Sequence, residues 1–75
     1  MNTEQFIEKT LGLKSVSDRE KIDRLLEYDT NMYTNLGTDS TKAERDAVKV
    51  ASRKIYRAIK FVDRGHGELL LRAFD

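Results

Sequence analysis

The chain has no cysteine, no proline and no tryptophan, and only one histidine and four glycines among its 75 residues. Without cysteine there is no disulfide to staple a small fold, and the common thiolate zinc sites are excluded. Without proline nothing in the sequence forces a helix to break. A lone histidine would need carboxylates to complete any metal site, and no phosphate-cradling glycine loop, G-x-S-x-G elbow or Cys/His cluster occurs. No catalytic residues, metal, cofactor or small-molecule substrate are therefore expected, and the chain does not read as an enzyme. No apolar run approaches the roughly 20 residues that span a bilayer, so no membrane partner is expected. The start Met1-Asn2-Thr3-Glu4 lacks the basic and apolar regions of a signal peptide, which makes the cytoplasm the expected compartment.

What is present is charge. With 36% charged and 39% apolar residues, the composition is that of a folded helical protein. The length suits one domain, residues 1–75. A chain this short buries only about 60–65% of its unfolded surface, so its core is small and self-association is the remaining support. The net charge of +1 conceals a division along the chain. Residues 1–41 carry five basic and eight acidic side chains, residues 42–64 eight and three, and residues 65–75 one and two.

Periodicity and capping signals predict an all-α fold, a small bundle of three main helices at about 4–11, 18–36 and 42–64 plus a short C-terminal helical segment. Thr3 reads as the first N-cap, with Phe6, Ile7 and Leu11 inward and Gly12 as a left-handed stop. Ser17-Asp18-Arg19-Glu20 fits a capping box that opens the second helix. Its inner face would be Ile22, Leu25, Leu26, Met32, Tyr33 and Leu36, with Asp29 projecting into the middle. Burying an unpaired carboxylate is costly, so the reading expects the helix to fray there or Asp29 to be exposed, the alternative being burial beside a basic group. Leu36-Gly37 is the next stop. Thr41-Lys42-Ala43-Glu44 is a second capping box, and Gly65-His66-Gly67 is read as the end of the long helix, with His66 exposed near its C-terminus.

Projected at 100° per residue, the long helix has two faces. Val48, Ala51, Ile55, Ala58, Ile59 and Val62 share a core wedge. Lys42, Arg45, Lys49, Arg53, Arg57, Lys60 and Arg64 recur at steps of three or four and make a positive stripe, with Tyr56 beside it as a ring able to stack on a base. The stripe has three readings: a dock for an anionic macromolecule, a partner for acidic side chains such as Glu20, Asp23 and Glu27 of a second copy, or a solvated face. Seven cations of one sign are more than solvation needs. The expected function is a non-enzymatic adaptor or regulator that binds nucleic acid through phosphates or meets an acidic protein surface. The alternative is a protein-interaction or self-associating module, a homodimer for example, in which Leu69, Leu71 and Phe74 add apolar contact.

Two further motifs fail on inspection. The stretch Asp29 to Ser40 alternates acids and amides like a calcium loop but has Thr34 at the turn glycine and Ser40 at the bidentate glutamate. Helix-turn-helix registers centred on Gly12 or Gly37 place Asp18 and Lys21, or Tyr33, where packing needs apolar or small groups.

Overall fold

The computed structural model describes residues 2–74. Every regular element among them is a helix: α1 Thr3–Leu11, α2 Asp18–Thr34, α3 Lys42–Val62 and α4 Arg64–Phe74. The bundle is as expected in class but has four helices, since the C-terminal segment is a full helix of 11 residues, longer than the 9 of α1.

The helix starts follow local chemistry. Asn2, one residue before the expected Thr3, caps α1: its side chain accepts from the Gln5 amide while the Gln5 side chain accepts from the Asn2 amide. Ser17 accepts from the Glu20 amide at 3.2 Å and Thr41 from the Glu44 amide at 3.1 Å, so both of these caps form where the sequence places them. Glu20 does not complete its capping box through the side chain; its carboxylate takes Arg24 one turn on, at 3.2 Å. At the end of α1, Gly12 is right-handed (φ −79°) rather than left-handed, and the Lys21 ammonium caps the Leu11 carbonyl from α2 at 3.3 Å.

Two further boundaries, both at helix C-termini, differ from the sequence reading. Helix α2 ends at Thr34, and the Leu36-Gly37 region is a turn in which the Ser40 amide donates to the Gly37 carbonyl. Helix α3 ends at Val62, ahead of the diglycine. There Asp63 is extended (φ −140°, ψ 101°) and serves two helices at once. Its amide donates to the Ile59 carbonyl at the end of α3, while its carbonyl and carboxylate accept the Gly67 and His66 amides at the start of α4. Asp63 therefore caps α4, and Gly65-His66-Gly67 forms the first turn of a new helix. His66 sits half-buried near an N-terminus, not exposed near a C-terminus.

The second of the two glycines, Gly67, is needed for proximity. Gly67 is buried, and a Cβ there would overlap the Cα, N and Cβ of Lys60. Without a side chain at that point α4 lies directly on α3 and folds back along it, bringing Phe74 edge-on to Tyr56 at 5.6 Å between ring centroids.

The core is built from Ile22 and Leu25 of α2 and Ile55, Ala58 and Ile59 of α3, with Leu70 of α4 and Phe6, Ile7 and Leu11 of α1 packed around them. Full burial of Leu25, Ile55 and Ile59 contributes about 1.5–3 kcal/mol each. Tyr33, expected inward, is exposed. Tyr28 takes the aromatic position instead, stacked on Phe6 with centroids 4.4 Å apart and its hydroxyl 3.3 Å from Thr3 Oγ1.

Candidate functional site

The six stripe residues from Lys42 to Lys60 stand on one uninterrupted helix, which is possible because α3 runs 21 residues without a breaking residue. All six are exposed, and so is Arg64, which belongs to α4. The structure divides the stripe into two halves with different surroundings.

The C-terminal half lies under α4. Glu68 receives Arg64 Nε at 3.0 Å and sits 4.0 Å from Lys60 Nζ. The hydrogen bond from Arg64 holds the Glu68 carboxyl below its ordinary value, helped by the charges of Arg64, Lys60 and Arg72 and opposed by desolvation. Lys60 and Arg64 are thus already matched to an internal carboxylate. Arg53 marks the border, its guanidinium carbon 5.5 Å from the centroid of the Phe74 ring.

The N-terminal half extends beyond the end of α4. Residues 41–47 are all exposed. Arg45 donates to the Ser40 carbonyl at 2.9 Å, which fixes its direction without neutralising its charge. Lys42 and Lys49 in this half, and Arg57 on the C-terminal side of Arg53, have no side-chain partner among the described residues. Asp46 is the carboxylate interleaved with them on this face, while Glu44 is turned to the Thr41 hydroxyl. A further cation, Lys54, lies on another side of α3 and reaches Glu4 of α1 at 2.6 Å. That hydrogen bond and charge hold the Glu4 carboxyl below its ordinary value.

Tyr56 is not presented for stacking on a base. Its hydroxyl donates to Asp29 Oδ2 at 2.8 Å and its ring is half-buried against Phe74. Burial, then the hydrogen bond and charge of Asp29, push the phenol well above its ordinary value. Asp29 is in turn 6% exposed in an unbroken α2 and also accepts from Ser52 Oγ at 2.5 Å. The expected fraying at Asp29 is therefore absent: two hydroxyls from α3, rather than a basic group, satisfy the carboxylate. Sequence reasoning missed Ser52, which is fully buried; its position beside the core wedge, one turn from Tyr56, was the available signal.

Of the apolar candidates on α4, Leu71 and Phe74 are half-buried and Leu69 is 65% exposed. Phe61, which the sequence reading did not single out, is 82% exposed near the end of α3. An open groove of about 640 Å³ at that same end is lined by Asp18, Asp23 and Asp63 together with Arg19, Ile22, Val62 and His66. Among the described residues no group of three or more His, Cys, Asp or Glu side chains is placed to hold a metal ion, and no helix is long and apolar enough to cross a membrane.

Comparison with protein-family models, with curated proteins and with solved structures returns no match to this chain.

Proposed function

We propose that the protein is a non-enzymatic adaptor or regulator of the cytoplasm whose α3 face docks on an anionic macromolecule, foremost nucleic acid held through its phosphates without base-edge reading. One observation carries this reading: Lys42, Arg45, Lys49, Arg53 and Arg57 stand exposed on successive turns of a single rigid helix, ahead of the part that Glu68 neutralises. From Lys42 to Arg57 the helix rises about 22 Å, enough to follow several phosphates of one strand. Point charges on long side chains at that spacing suit a backbone and not a base edge, which calls for planar bidentate contacts at fixed positions.

The test is fluorescence anisotropy of labelled single- and double-stranded oligonucleotides titrated with the protein across a salt series. Five phosphate contacts give a log–log slope near −4.5 on a duplex and about −3.5 on a single strand. Absence of binding to either at low salt removes nucleic acid as the partner.

A second reading has Leu69 in its favour: an outward leucine on α4 is suited to a protein partner or a second copy of the chain. Light scattering of the wild type beside L69E decides it, since a mass that drops in the variant makes α4 a self-association surface.

A further inference from the structure

The aromatic ring that this face offers to solvent is not the one beside the stripe but one near its end. Tyr56 is bound to Asp29 and packed on Phe74, whereas Phe61 is 82% exposed. Phe61 lies one helical turn beyond Arg57, on the same side of α3. An exposed phenylalanine that continues the row of Lys49, Arg53 and Arg57 at a four-residue step has a specific chemical consequence. The cations attract phosphates, and the ring adds a flat apolar surface that only an aromatic face can cover well. A duplex offers no such face, because its bases are stacked on each other. A single strand does.

We infer that Phe61 is a stacking platform for an unpaired base, so that the α3 face takes single-stranded nucleic acid, phosphates along Lys49, Arg53 and Arg57 and a base on Phe61. This rests on the docking reading above. Charge complementarity argues for this occupant. An acidic protein surface would satisfy the cations but leave the ring unmatched. A lipid surface would need several apolar side chains beside the ring, whereas exposed Val50 shares this side of α3 but lies three turns away and Leu69 lies on a different helix. The ring is too exposed to serve the core, so its removal tests binding without disturbing the fold.

The experiment compares wild type, F61A and F61W on a labelled oligothymidylate of about twelve nucleotides and on a duplex of equal length, with helicity checked by circular dichroism. F61A should weaken the oligothymidylate complex about five- to a hundredfold, leave its salt slope unchanged and leave duplex binding unchanged, while F61W retains single-strand affinity. Undiminished single-strand binding by F61A overturns the inference and leaves phosphate docking intact. Equal loss on single strand and duplex also overturns it, because base stacking would then not be the contribution removed. Failure of the wild type to bind either nucleic acid at low salt overturns the docking reading itself. A fall in solution mass in F61A makes Phe61 a contact between copies and likewise overturns the inference.

Discussion

Ser52 Oγ donates to the Asp29 carboxylate at 2.5 Å, across 23 positions of sequence, and both side chains are buried. With Tyr56 donating to the other carboxylate oxygen, the pair ties α2 to α3 at a point where apolar packing alone would leave register less specified. Hydroxyl donors satisfy the acid without bringing a second ionisable cation into the interior.

Removing one donor should therefore be expensive. S52A leaves an oxygen of Asp29 with a lost partner and should cost about 1–3 kcal/mol, read as a fall in the midpoint of urea unfolding. D29A should cost more than D29N, because the amide oxygen keeps an acceptor for one hydroxyl and its NH2 can donate to the other. Equal midpoints for S52A and wild type would show that the hydrogen bond contributes nothing.

Alkaline pH should weaken the same junction. The phenol of an unfolded chain loses its proton near pH 10, whereas folded Tyr56 holds its proton to higher pH. Since the folded value is the raised one, the contribution is complete below about pH 10 and is lost as pH rises through the folded value. Unfolding titrations from about pH 9 to 11.5 should show a decline in stability whose slope is smaller in Y56F. Tyrosinate absorbance assigned to Tyr56 by difference from Y56F should develop above the ordinary phenol range.

Two glycines two positions apart should respond in opposite directions. G67A forces α4 off Lys60 and should cost about 1–3 kcal/mol, with loss of the near-ultraviolet dichroism from the Tyr56–Phe74 contact. G65A meets nothing nearer than Asp63 Oδ1 at 3.8 Å and should raise stability by about 0.5 kcal/mol through helix propensity. A destabilised G65A alongside a neutral G67A would contradict the placement of α4.

Charge reversal separates the two halves of the stripe. K49E with R57E, both exposed and outside the reach of Glu68, should abolish retention of nucleic acid at physiological salt and leave helicity unchanged. K60E should instead repel Glu68 and loosen α4, read as a lower thermal midpoint. Binding that survives in the double variant would remove the electrostatic face as the docking surface.

The features legible in the sequence are those whose cause is local. Ser17 and Thr41 cap where a hydroxyl precedes a glutamate by three positions, and Ile55, Ala58 and Ile59 are buried where the 3.6-residue period puts them. What was not legible depends on partners distant in sequence. Asp29 looked like a break because Ser52 and Tyr56 are more than 20 positions away. Gly65-His66-Gly67 looked like a stop because a glycine that ends a helix and a glycine that lets two helices touch are the same letter, and only Lys60 tells them apart. Tyr56 looked available because its periodicity places it at the border of core and solvent, where a hydroxyl partner decides which way the ring goes. Phe61 was overlooked because a phenylalanine is usually assigned to a core before it is assigned to a surface.

The contact between Gly67 and Lys60 also bears on how such a protein changes over generations. Cations with no internal carboxylate, such as Lys42, Lys49 and Arg57, can be exchanged or moved at little cost to folding, so that part of the positive face is free to drift with whatever it meets. Position 67 has no such freedom, because every alternative to glycine carries the atom for which there is no room. A lineage with this architecture would be recognised by one invariant glycine about five positions after its long helix ends, long after its charge pattern had become unrecognisable.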